Sequence, residues 1–135
     1  MADDQITPEN VSNELLMSVF EAAFMDASYD SDGDIMVKDK CRCWVFPDKN
    51  MRRIRLMVLF GFKSGTRELE KLNCVNQINS DYILVRATVQ GEKLKFSYDV
   101  SLEGGINKRA FVMLVKRFCS IPHEAVNDYG KDIVE

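Results

Sequence analysis

The stretch K93-LKFSYDVSLEGGINKRAFVMLVKR-F118 decides the fold class. Leu94, Phe96, Tyr98, Val100 and Leu102 alternate with Lys93, Lys95, Ser97, Asp99 and Ser101, so one extended segment has one apolar face. Gly104-Gly105 breaks it, and the apolar spacing then changes to Phe111, Leu114, Val115 and Phe118, the period of a helix. A half-buried strand feeding a helix belongs to an antiparallel sheet with helices packed on it. Nothing in the stretch is chemically reactive.

Working towards the N-terminus, Tyr82 to Val89 reads as a strand joined to the first by a hairpin at Gln90-Gly91-Glu92. Before it, Arg67 to Asn79 reads as a helix capped by Thr66 or Ser64, with Leu69, Leu72, Val75 and Ile78 inside. Arg53 to Phe62 is a longer strand, Cys41 to Phe46 and Ile35 to Lys38 are shorter ones, and Pro47-Asp48-Lys49-Asn50 marks a turn. Met57 and Leu59 make the second face of the long strand apolar too, which places it centrally. At the start, Thr7 as cap, Pro8 as first helical residue and an Ile6–Val11 staple predict a helix over 8–26. Asn107 caps the last long helix, which Pro122 interrupts before a short continuation to Tyr129 and Gly130. The order α-β-β-β-α-β-β-α is α+β, in a single domain spanning 1–135, with 1–6 and 131–135 expected to be loose.

With 135 residues, 46% hydrophobic and 29% charged, the chain has enough apolar material to build a core without a metal or disulfide. No apolar run approaches the roughly 20 residues of a membrane span, and the acidic start MADDQITPEN is unlike a secretory signal, so a cytoplasmic location is expected. The net charge of −3 conceals a segregation: residues 1–37 carry nine acids and no Lys or Arg, whereas 38–67 carry nine bases and two acids. Such segregation guides one segment onto another, or onto a partner.

Four stretches of the chain carry residues of chemical interest. Asp30, Asp32, Gly33 and Asp34 match the middle of a calcium loop over 28–39, but Ser28 and Asp39 stand where a first Asp and a last Glu belong, and a strand follows where a helix is required. A solvated acidic turn is the simpler reading. Cys41 and Cys43 share a strand face, Cys74 and Cys119 are remote, and there is a single histidine, His123; buried reduced thiols are expected, with no metal and no cofactor. Gly61 to Thr66 lacks the residue order of a phosphate-binding loop, and no nucleophile–base motif occurs, so no enzyme is expected. The fourth motif is the basic hairpin, where Arg42, Trp44, Arg53 and Arg55 are the candidate partner-binding residues. Trp and Arg are favoured anchors in protein interfaces. The same mixture also suits single-stranded nucleic acid, although the overall negative charge opposes it. The bland alternative has these arginines solvated or paired with the acidic N-terminal segment, and Trp44 packed under a helix.

The helix ending Leu72-Asn-Cys-Val-Asn-Gln-Ile-Asn79, the strands Asp81–Val89 and Lys93–Gly105, and the helix containing Phe111–Phe118 resemble the YbjN family of bacterial proteins, described as sensory transduction regulators. The resemblance is strongest over Leu69 to Val126. It implies a fold similar to type III secretion chaperones, which are small, acidic, commonly homodimeric and hold other proteins on their surfaces. It therefore implies a non-enzymatic protein-binding regulator or chaperone-like adaptor. The family's motifs are structural, and Asn76 and Asn79 are expected to tie the helix end to the next strand. The Arg-rich hairpin matches no family feature.

Overall fold

Among the described residues, alternating apolar side chains generate six strands that pair into one antiparallel sheet, and four helices supply the other half of the core. The computed structural model describes residues 4–135. Its elements are β1 (Gln5–Ile6), α1 (Asn13–Ala22), β2 (Asp26–Tyr29), β3 (Ile35–Lys38), β4 (Arg42–Asp48), β5 (Arg53–Gly61), α2 (Glu68–Asp81), β6 (Arg86–Gln90), β7 (Lys93–Ser101), β8 (Ile106–Asn107), α3 (Lys108–Cys119) and α4 (Pro122–Tyr129). The main sheet has the order β2-β3-β4-β5-β7-β6, every neighbouring pair being antiparallel, while β1 and β8 pair separately. The fold is α+β. Among the described residues no helix is long and apolar enough to cross a membrane.

One face of the sheet carries the core. Ile35, Val37, Cys43, Val45, Ile54, Leu56, Val58, Leu94 and Phe96 are buried there against Leu16 and Phe20 of α1, Val75 and Ile78 of α2, and Phe111, Val115 and Phe118 of α3. β5 is central, between β4 and β7, as its two apolar faces foretell. Gly104 and Gly105 both adopt φ of 78°, a left-handed conformation that L side chains resist, and this turns the chain out of β7. A Cβ on Gly105 would also lie 2.9 Å from Gln5 Oε1. Asn107 then caps α3, its Oδ1 accepting from the Arg109 and Ala110 N–H groups at 2.9 and 3.2 Å.

The structure corrects the sequence reading at several places: α2 follows Arg67 as its cap, not Thr66 or Ser64, and runs to Asp81, and β6 begins at Arg86, not at Tyr82. Helix α1 begins at Asn13, not at 8, because Asn10 closes its own loop. Its Oδ1 accepts from Thr7 N–H at 2.8 Å, Thr7 Oγ1 accepts from Asn10 N–H at 3.2 Å, and Ser12 becomes the cap of the helix. The same helix ends at Ala22, and residues 26–29, read as helix end and loop, form the edge strand β2. In α2 the inward residues are Lys71, Cys74, Val75 and Ile78, whereas Leu69 and Leu72 face solvent. Lys71 reaches across to Glu92 Oε1 at 2.9 Å and lies 5.5 Å from the Phe62 ring, so its stem fills the place a leucine was expected to take. Finally, neither end is loose where described. Gln5–Ile6 pairs with β8, and the C-terminal tail docks on the end of β5. There the Lys63 N–H donates to the Ile133 carbonyl at 2.7 Å, the Glu135 N–H donates to the Gly61 carbonyl at 2.9 Å, and Val134 is buried. Residues 1–3 lie outside the described residues.

Candidate functional site: the uncovered face of the sheet

Because side chains alternate, the residues between the core positions all project from the other face, which carries no helix among the described residues. Strand register aligns them into rows. Ser28, Met36, Trp44, Met57, Ser97 and Arg86 form one row across all six strands. Phe46, Arg55 and Asp99 form a second row, and Asp48, Arg53 and Ser101 a third. Trp44, Phe46, Met36 and Met57 are all partly exposed. Trp44 is thus on the open face and not beneath a helix. Its Nε1–H donates to Asp30 Oδ2 at 3.1 Å, which fixes the indole plane against the β2–β3 turn.

The arginines are organised by one carboxylate. Arg55 grips Asp99 with Nε to Oδ1 at 2.8 Å and Nη2 to Oδ2 at 3.3 Å, while Arg53 and Arg86 each approach Oδ2 at 3.5 Å. Hydrogen bonding and charge from Arg55, reinforced by Arg53 and Arg86, hold the Asp99 carboxyl below its usual value. Arg53 also lies 3.9 Å from Asp48. The hairpin therefore pairs mainly with β7 and with itself, and among the described residues Arg52 alone of its arginines reaches the N-terminal acidic segment, at Glu9 (3.5 Å). Arg52 also bonds Glu103.

Arg42 is placed differently. The β4–β5 pairing runs from Asp48–Arg53 to Trp44–Met57 and stops. Beyond that point the β3–β4 tip leans towards α3, where the Cys41 thiol donates to the Cys119 carbonyl at 3.5 Å. A cleft of about 540 Å³ opens between the diverging strands, lined by Lys38, Lys40, Arg42, Trp44, Phe60 and His123 among others. Among the described residues none of these three cations has a carboxylate within ion-pair distance. His123 stacks edge-on to Phe60, their ring centroids 5.2 Å apart. The structure thus places Trp44, Arg53 and Arg55 together on the open face and Arg42 at the cleft, whereas the sequence singles out neither Asp99 nor Met36 nor the cleft. Alternation alone would have put Asp99 on the open face; its alignment with Arg55 needed the register.

The acidic turn has its own internal use. Asp30 Oδ1 accepts from the Asp32 and Asp34 N–H groups, both at 2.9 Å, and these bonds lower its pKa. The three carboxylates of Asp30, Asp32 and Asp34 lie close together. However, both Asp30 oxygens already serve as acceptors, and the turn joins two strands, not the two helices of a calcium-binding hand. The four cysteines are free thiols; Cys43, Cys74 and Cys119 are buried and Cys41 is half-buried. The contact with Cys119 and burial raise the Cys41 pKa strongly, which keeps it a thiol.

No curated protein matches the chain in sequence. Its fold is similar to the crystal structure of YbjN from E. coli, described as "a putative transcription regulator", with a TM-score of 0.74 and 11% sequence identity over 93% of this chain and 96% of that one. At that identity the likeness concerns the fold. The family model YbjN, described as "Putative bacterial sensory transduction regulator", matches residues 12–128, and the chain belongs to that family.

Proposed function

We propose that the chain is a non-enzymatic cytoplasmic regulator that works by binding another protein on the uncovered face of its sheet, in the manner of a chaperone-like adaptor. The observation that supports this reading is the row of Met36, Trp44 and Met57, with Phe46 beside it, on a face without helices. Aromatic and arginine side chains are the usual energetic anchors of interfaces, and methionine adapts its shape to varied clients. Asp99 holds Arg53 and Arg55 in place before any partner arrives, which reduces the ordering cost of binding. Arg42, with Lys38 and Lys40, supplies positive charge at one end of the row. The partner that fits is a protein segment with an apolar anchor next to acidic residues.

Affinity capture from native lysate tests this, with the wild-type chain and Trp44→Ala as parallel baits. A protein retained by the first and lost by the second supports the reading; identical retention on both refutes this face. A second reading has its own observation. The open face carries Lys38, Arg42, Arg53, Arg55, Arg86, Lys93 and Lys95 against Asp26, Asp30, Asp48, Asp99 and Glu135, a small positive surplus beside Trp44 and Phe46 that suits single-stranded nucleic acid. Salt-sensitive micromolar binding of single-stranded RNA, lost in Arg53→Ala, would favour that reading over protein binding.

A further inference from the structure

Phe24 is 97% exposed, the most exposed large apolar side chain among the described residues. It stands just beyond α1 with φ of 58°, in a left-handed conformation that glycine takes without strain and phenylalanine does not. The Phe24 N–H donates to the Glu21 carbonyl and the Met25 N–H to the Phe20 carbonyl, both at 3.0 Å, so the turn is a fixed helix stop. A phenylalanine here gains nothing from backbone geometry and nothing from the core.

Beside it, α1 and α3 leave an apolar groove of about 260 Å³, lined by Val19, Ala22, Ala23 and Val112, with Lys108 and Arg109 on its rim. Two alanines at the end of α1 create the hollow, and Met113, 59% exposed, follows Val112 along α3. The knob and the hollow adjoin each other, since Ala23 both precedes Phe24 and lines the groove. Their flanks carry opposite charge. Glu21 is exposed near Phe24, Lys108 and Arg109 border the groove, and none of the three is in an ion pair among the described residues.

From this arrangement we infer that Phe24 anchors a two-fold homodimer, its ring entering the α1–α3 groove of a second copy. A two-fold axis between knob and hollow places each on the other in both directions, and brings Glu21 of one copy to Lys108 and Arg109 of its mate. Charge complementarity selects a second copy over an unrelated apolar partner, because one rotation satisfies both the apolar and the charged halves of the patch. Two phenylalanines buried at about 150–250 Å² each supply only part of the roughly 1,200 Å² of a small specific interface, so the dimer is a weak, transient one. This surface lies on the helical side, away from the open sheet face, and leaves that face available.

Sedimentation velocity of the full chain from about 1 to 300 μM tests it, a range that brackets micromolar dissociation. The wild type is expected to pass from monomer to dimer. Phe24→Gly is expected to weaken association at least about tenfold, while its melting temperature stays equal or rises, because glycine suits the left-handed turn. Glu21→Lys and Lys108→Glu should each weaken the dimer, and the double swap in one chain should restore it. A wild type that remains monomeric at the top concentration overturns the inference, and so does Phe24→Gly dimerising like the wild type.

Discussion

Replacing Asp99 by Asn tests whether one carboxylate organises the open face. The change keeps the side chain's shape and removes its charge. Asp99 is 25% exposed and Arg55, its main partner, 33%, so solvent screens the pair only in part. The two-pronged Arg55 contact, at 2.8 and 3.3 Å, is worth about 1.5 kcal/mol as a charge-assisted pair at this exposure. Arg53 and Arg86, each at 3.5 Å, add roughly 0.3 kcal/mol apiece, which brings the expected loss to about 2 kcal/mol. For a chain of 135 residues that corresponds to a melting temperature lowered by about 7 °C. Urea unfolding at neutral pH measures the difference directly.

The pH dependence supplies the sign. The folded pKa of Asp99 is depressed, so its contribution is complete above the unfolded value near 3.9 and disappears as pH falls through the lower folded value. The gap between wild type and Asp99→Asn should therefore be full at pH 7, shrink as pH falls below the unfolded value near 3.9, and close only below the depressed folded value. A gap that is equally large at both ends of this range would mean that Asn disturbs packing and that the charge is irrelevant. A loss below about 0.5 kcal/mol at pH 7 would mean that the three arginines are screened by water and that Asp99 organises nothing.

Three further outcomes follow from the same structure. Asn79→Ala should cost about 2 kcal/mol in urea unfolding, because Asn79 exchanges two hydrogen bonds, at 2.8 and 2.9 Å, with the backbone of buried Ala87 at the start of edge strand β6. Removing residues 133–135 should lower the melting temperature and expose the Lys63 N–H to rapid hydrogen exchange, since its acceptor is the Ile133 carbonyl. Lys71→Met should be neutral or mildly stabilising, while Lys71→Ala should cost about 2 kcal/mol. The first keeps the buried stem and discards an ion pair whose other member, Glu92, is largely exposed, whereas the second leaves a cavity over Phe62.

The strand faces were legible because alternation is local: Leu94 to Val100 and Ile54 to Val58 point inward as their spacing requires. Caps were legible where the capping residue had no rival, as at Asn107, and misleading where it had one, as at Thr7, which Asn10 engages first. Asn79 makes the predicted tie to the next strand. Asn76 does not: its carbonyl accepts from Ser80 and its side chain is exposed. The inward face of α2 was misread because leucines attract the assignment, whereas the tail around Val134 and the hairpin at Glu92 decide which side is covered. Of the candidate site, residue types were legible and pairing was not. Asp99 and Arg55 are far apart in sequence, and only the β5–β7 register brings them together.

That pairing bears on which partner the face accepts, and Asp99→Asn separates the two readings. With the carboxylate gone, Arg53, Arg55 and Arg86 lose their common partner and the positive surplus of the face rises by one. A polyanion gains from both changes. If single strands bind here, each newly available arginine adds a phosphate contact, so affinity should rise and the salt dependence steepen by up to about 0.7 in log–log slope per contact. A protein partner loses instead, because the guanidinium groups are no longer held in place and must be ordered on binding, at about 0.5–1.5 kcal/mol for each side chain immobilised. Weaker retention of a captured protein by Asp99→Asn, with RNA binding unchanged, supports the adaptor reading. Tighter and more salt-sensitive RNA binding, with no protein lost, would instead make Asp99 a brake on nucleic-acid binding.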